Sequence, residues 1–352
     1  MARLPKSSYE SSWGSLYPFA SQALDIAGCA YHYVDESPPD VDPGEVSTLL
    51  FVHGNPTWSF HWRRLILANR GQYRCIAPDH LGCGLSDLQP NPLRLADHID
   101  HLTRLIETLD LRRVTLIAQD WGGAIGLGAV LRAKDRFERL ALYNTGAFPP
   151  WFIPWRIRVC RWPLLGRLAL QGANGFSRAA LNMTLARSRR LDPFVEQAYL
   201  APYHDWQSRA AVYQFVKDIP RSDRYPTWQQ LAEIEQGLPE LASLPQSLVW
   251  GMRDWCFTPE CLDKFVDHWP QAEVHRLADV GHWVVEDAPE QTEQLLAEWL
   301  HRTATTTKGA TTKGATGKGA TGKGATGTGA TGKGATGTGA TGTRATGTEA
   351  TA

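Results

Sequence analysis

Residues Val114 to Ala118 form an apolar run that passes through Gln119-Asp120-Trp121-Gly122-Gly123 into a stretch of small residues, Gly123 to Val130. An apolar strand that turns at once into a slender helix is the setting of a nucleophile elbow, a strained turn that lifts one side chain clear of the backbone. The usual pattern is G-x-S-x-G, whereas this chain reads Ala118-x-Asp120-x-Gly122. An aspartate at the tip changes the chemistry. A carboxylate is ionised at neutral pH, can attack a saturated carbon, and leaves an ester that can be resolved at its own carbonyl. The pattern argues against an ordinary serine esterase.

Other function classes fall away on composition. The chain of 352 residues, 43% hydrophobic, can bury a substantial core. Its six cysteines (29, 75, 83, 160, 256 and 261) form no C-x-x-C pair and no zinc spacing, so they read as reduced thiols of an intracellular protein. Asp79 to Asp87 contains a G-x-G but not the full dinucleotide fingerprint, and it reads as a structural turn. Neither a metal nor another cofactor is expected. No apolar stretch follows the N-terminal charges and no run of about 18 apolar residues occurs, so a cytoplasmic protein without a transmembrane segment is expected.

The zero net charge hides an asymmetry. From Thr303 to Ala352 there are five lysines and one arginine against one glutamate, so this tail carries +5 and residues 1–302 carry −5. A mildly acidic body offers no nucleic-acid footprint. The tail repeats K/T-G-A-T-G with no aromatic or branched aliphatic residue, and disorder is expected over 303–352. A tolerated repeat expansion explains it better than a basic tether.

Along the body, short apolar runs alternate with helical stretches, the pattern of a largely parallel sheet covered on both faces. Strands are expected at 23–26 and 30–34 as a hairpin, then at 49–52, 75–77, 114–118, 140–144, 247–250 and 273–277. Helical spacing marks 92–109, 123–134 and 289–302. From 148 to 225 there is no convincing strand, which divides the core into 1–147 and 226–302 around an inserted helical cap. Trp151 to Leu170 mixes Arg156, Arg158, Arg161 and Arg167 with large apolar groups, a composition that suits a membrane surface. The favoured reading is a cap helix with its apolar face over the cavity and its arginines in water.

A carboxylate nucleophile needs donors for developing charge, a base, and a group that orients the base. His53-Gly54-Asn55-Pro56 follows the strand at 49–52, and the amides of Asn55 and Trp121 suit an oxyanion hole. The side-chain N–H groups of Asn55 and Trp121 suit a departing anion. His282, after the last strand, has the best address of eleven histidines for the base, since nucleophile, acid, histidine is the chain order of this hydrolase architecture. Asp254, after the strand that follows the cap, is the orienting acid. Asp279 is its rival but reads as a turn residue. The end of the strand at 140–144 offers only Asn144-Thr145-Gly146. His53 reads as structural, and Tyr199, Tyr203 and Tyr213 read as packing rather than as groups that polarise an epoxide oxygen.

With these residues in place, the body from about Leu16 to Arg302 resembles the haloalkane dehalogenases of the α/β-hydrolase superfamily. The match is carried by His53-Gly54-Asn55-Pro56-Thr57, Gln119-Asp120-Trp121-Gly122-Gly123 and Gly281-His282. A finer resemblance, through Leu16-Tyr17-Pro18-Phe19, His32-Tyr33-Val34-Asp35-Glu36, Thr57-Trp58-Ser59-Phe60 and Gly251 to Pro259, is to the β-lactone decarboxylases of bacterial long-chain olefin biosynthesis. It implies an α/β-hydrolase fold with a mostly parallel sheet and helical cap, and catalytic residues Asp120, His282 and Asp254. It also implies anion binding by Asn55 and Trp121. The implied reaction converts a cis-3-alkyl-4-alkyloxetan-2-one to a cis-alkene and CO2. Small apolar substrates with alkyl chains are the expected ligands, and other olefin-biosynthesis enzymes are the expected protein partners. Haloalkane dehalogenase is the alternative, epoxide hydrolase the third, and a catalytically idle scaffold the reading from outside enzymology.

Overall fold

The computed structural model describes residues 13–187 and 190–314. Eight strands form one sheet: β1 Gln22–Ile26, β2 Cys29–Glu36, β3 Thr48–Val52, β4 Arg74–Pro78, β5 Val114–Asp120, β6 Phe137–Thr145, β7 Gln246–Gly251 and β8 Glu273–Leu277. Their order is β1-β2-β4-β3-β5-β6-β7-β8, with β2 antiparallel to both its neighbours and every other pairing parallel. Every expected strand is present, most of them a residue or two longer than its apolar run.

Both faces of the sheet are covered, which is why its central strands read as unbroken apolar runs. Alternate residues enter two separate cores. Leu50, Val52, Leu116, Leu140 and Leu248 pack on one side, and Leu49, Phe51, Ile117, Ala141 and Val249 on the other. The first core is closed by α2 Leu95–Thr108, α3 Trp121–Arg132, α9 Pro226–Gly237 and α10 Pro259–His268. The second is closed by α1 Arg63–Asn69, α11 Val284–Asp287 and α12 Pro289–Gly314. α2 shows the sequence logic: Leu95, Ile99, Leu102, Leu105 and Ile106 are buried at helical spacing.

Between β6 and α9 lie α4 Trp155–Cys160, α5 Pro163–Arg167, α6 Gly175–Met183, α7 Pro193–Leu200 and α8 Ala210–Asp218, with no strand among the described residues. At the other end, α12 does not stop at Arg302, where the composition changes, but runs to Gly314. Of the tail expected to be disordered, residues 303–314 are described as the end of α12, and 315–352 lie outside the described residues.

The order β4-β3-β5 places the reversal of the winding at β3. Ligands of such sheets bind beyond the carboxyl ends of the strands at that reversal. The ends of β3 and β5 carry Gly54-Asn55 and Asp120.

Candidate active site

Asp120 ends β5 with φ 54° and ψ −131°, a conformation that L-residues avoid, and it immediately precedes the first turn of α3. The turn is possible because its neighbours are small. A Cβ on Gly122 would overlap the carbonyl of Val52, and one on Gly54 would overlap the Asp120 carboxylate itself. The backbone N–H of Asn55 donates to Asp120 Oδ1 at 2.7 Å, and the backbone amide of Trp121 also favours the charged carboxylate. Burial pushes the Asp120 carboxyl above the usual carboxylate range, against the pull of His282 and the two amides.

His282 faces that carboxylate, with Nε2 at 3.6 Å from Asp120 Oδ2. Its other ring nitrogen, Nδ1, lies 2.7 Å from Asp254 Oδ2. Burial acts to lower the imidazole pKa, but the charge and hydrogen bond of Asp254, with Asp120 behind them, raise it above its ordinary value. Asp254 is held in turn by the amide of Cys256 at 2.7 Å and the side-chain Nδ2 of Asn144 at 2.9 Å. Asn144 also accepts from the N–H of Gly251 at 2.7 Å, so it ties the end of β6 to the loop after β7. The rival Asp279 is turned to the surface, where it pairs with Arg187 at 2.7 Å.

Asp120, His282, Asn55 and Trp121 line the inner end of a cavity of about 600 Å³. Its walls are almost wholly apolar and come mainly from the helices between β6 and α9, with Ile157, Leu170, Phe176 and Val216 among them. Among the described residues no tyrosine lines it. Tyr199 and Tyr203 are buried elsewhere, the latter donating to the Thr57 carbonyl at 3.2 Å. Asn55 Nδ2 gives one hydrogen to the carbonyl of Val212 at 3.2 Å and keeps a second, so the amide is oriented without being used up. His53 is structural as expected: Nε2 accepts from the N–H of His80 at 3.0 Å. Among the described residues no group of side chains could hold a metal ion.

One buried network is not evident from sequence. Gln119, just before Asp120, meets the His282 carbonyl through Nε2 and His61 Nε2 through Oε1. His61 Nδ1 lies 2.8 Å from the hydroxyl of Tyr199, which donates to Glu286 at 2.6 Å, and Glu286 pairs with Arg63. The chain of contacts runs from α1 to the histidine loop through a side chain of the elbow. Removing one partner of such a buried ion pair leaves the other charged and dry. Arg63→Met is therefore expected to cost about 3–5 kcal/mol in denaturant unfolding, and the double variant Arg63→Met/Glu286→Met to recover most of it. A loss of stability confined to a few tenths of a kcal/mol, the scale of a surface ion pair, would mean that the pair is solvated.

Fold and site geometry together define the class. The family described as alpha/beta hydrolase fold matches residues 47–289, and the chain belongs to it. Within it, the chain is similar to two proteins named cis-3-alkyl-4-alkyloxetan-2-one decarboxylase. The one from Shewanella oneidensis is 35% identical over 300 residues, covering 83% of this chain and 91% of the relative. The one from Xanthomonas campestris pv. campestris is 38% identical over 301 residues, covering 81% and 97%. Among solved structures, the haloalkane dehalogenase DbeA from Bradyrhizobium elkani superposes with a TM-score of 0.74 at 24% identity, covering 82% of this chain and 99% of that one.

Proposed function

We propose that this protein is a β-lactone decarboxylase that converts cis-3-alkyl-4-alkyloxetan-2-ones to cis-alkenes and CO2, with Asp120, His282 and Asp254 as its catalytic residues. The observation that carries the reading is the long apolar cavity ending on one amide-held carboxylate, in a chain over a third identical to two such decarboxylases. Residues 148–225 act in this reading as a cap whose walls receive the two alkyl arms.

The chemistry follows from the groups present. Asp120 attacks ring carbon C4 and breaks the C4–O bond, which forms an alkyl ester on Asp120 and frees a substrate carboxylate. The side-chain N–H groups of Asn55 and Trp121 and the positive imidazole of His282 receive that charge. The C2–C3 bond then supplies its electron pair to the new C3=C4 bond, CO2 departs, and Asp120 leaves as a carboxylate. Inversion at C4 followed by anti loss of CO2 and aspartate returns the cis geometry, and no water is consumed.

Hydrolytic dehalogenation is the second reading, favoured by the same Asn55 and Trp121 at the cavity end, since two N–H groups suit a halide as well as a carboxylate. Epoxide opening is third, because among the described residues no tyrosine lines the cavity to polarise a neutral ring oxygen. A place beside the enzymes that form the lactone in olefin biosynthesis, and a cytoplasmic location, belong to the proposal. The purified protein is offered a cis-dialkyl β-lactone, a bromoalkane and an epoxide side by side. The expected product is alkene with little bromide or diol. Bromide without alkene overturns the decarboxylase reading.

A further inference from the structure

The cap turns two apolar faces in opposite directions. Ile157 and Leu170 point into the cavity, as expected for a helical cover. The arginines Arg156, Arg158 and Arg167 are exposed, as that reading has it, but large apolar side chains share the exposed side of α4, α5 and the turn after it. Trp155 is 67% exposed, Leu164 80% and Leu165 64%, and Trp162 and Leu168 are exposed beside them. Soluble surfaces rarely gather so many large apolar side chains in one short segment without covering them.

Two further observations say what covers them. From Phe148 to Leu191 the sequence carries eight arginines and no aspartate, glutamate or lysine, although residues 1–302 as a whole are acidic. Arg156, Arg158 and Arg178 are exposed, and the Arg156 guanidinium lies 5.2 Å from the ring centroids of Trp155 and Trp255. Indole rings mixed with guanidinium groups suit the boundary between lipid headgroups and acyl chains. The patch is also continuous with the cavity mouth, for Trp151, Phe152, Trp155 and Val159 are both exposed and part of the cavity lining.

We infer that the α4–α5 face of the cap is a docking surface for an anionic lipid bilayer, laid down so that the cavity opens toward the acyl region. Attachment is peripheral, since among the described residues no helix is long and apolar enough to cross a membrane. A substrate with two alkyl arms then enters the cavity from lipid rather than through water. The surface does not depend on which substrate reacts, so it can be tested without turnover.

The test is flotation of the full chain with vesicles of phosphatidylcholine alone or mixed with phosphatidylglycerol. Wild-type protein is expected to float with the anionic vesicles and to be released as salt is raised. Leu164→Glu/Leu165→Glu, at positions exposed enough to leave folding intact, is expected to weaken binding at least about 10-fold with an unchanged melting temperature. Arg158→Gln is expected to weaken it less. Wild-type protein that stays with the buffer at low salt overturns the inference, including the case in which the patch captures a soluble protein instead. Flotation of the double glutamate variant equal to wild type overturns it too, because attachment would then lie elsewhere, as on the basic tail.

Discussion

Replacing Asp120 by glycine is expected to abolish turnover and, in the same protein, to raise its stability. The two effects share one cause. Asp120 sits at φ 54° and ψ −131°, where a Cβ is strained by about 1–3 kcal/mol and glycine is not. Its carboxylate is buried deeply enough for its pKa to rise, so the ionised form is held at a cost. Glycine removes both terms, while the greater freedom of the unfolded chain takes back about 0.5–1 kcal/mol. The amides of Asn55 and Trp121 lose an acceptor but face a cavity that water can enter, and a net gain near 1 kcal/mol is expected. Activity moves the other way. In the proposed reading Asp120 is the nucleophile of a triad, whose loss can lower kcat by up to about 10⁶-fold, so a drop of at least about 10⁴-fold is expected on every substrate. Unfolding in denaturant and product formation are measured on the same preparation. Turnover that survives in the glycine variant removes the covalent chemistry. A variant both inactive and less stable means that the carboxylate holds the turn together and that its strain is not stored for function.

That Asp120 could be found from sequence at all reflects how local its requirements are. A strand, a bare turn and a slender helix are consecutive in the chain, and each reports its own constraint through residue size. The strands were legible for a similar reason: burial on both faces leaves an apolar run with little to dilute it. His282 and Asp254 follow from chain order after the last two strands. Contacts that join distant segments left no such trace. Asn144 could be seen to lack a carboxylate, but its grip on Asp254 depends on β6 lying beside β7. Gln119 was visible as a letter of the elbow, yet its partners come from α11's approach and from α1's entry, more than fifty residues away on either side. The segment between β6 and α9 was the least legible part. Its helices share a composition of tryptophan, leucine and arginine, and only the coordinates separate Ile157 and Leu170, which face inward, from Leu164 and Leu165, which do not.

His282→Gln is expected to separate the two chemistries that the cavity can support. With a bromoalkane, attack by Asp120 does not need a base, so the variant releases about one bromide per protein and stops as an alkyl ester. Resolving that ester needs a neutral imidazole to take a proton from water, and steady turnover is expected to fall at least about 10³-fold, with the protein heavier by one alkyl group. With the β-lactone no proton is transferred, and the residue contributes only its positive charge beside the freed carboxylate. Losing one such stabilising group costs about 10²- to 10³-fold, and the variant should still turn over without accumulating an adduct. The pH profiles of the wild type carry the same distinction with opposite signs. The pKa of His282 is raised because Asp254 and Asp120 outweigh burial, which favours the charged imidazole. Decarboxylation uses that charged form, and its rate should hold on the acid side until Asp120 protonates and fall as pH rises through the raised value. Hydrolysis uses the neutral form, and its rate should fall as pH drops through the value left after Asp120 is alkylated. That value is lower than in the free enzyme, since an uncharged ester no longer supports the cation. Alkene formation that vanishes in the glutamine variant as completely as bromide turnover, with an acid limb in place of an alkaline one, would mean that a proton or a water is used in the lactone reaction. The direct loss of CO2 from the aspartyl ester would then be wrong.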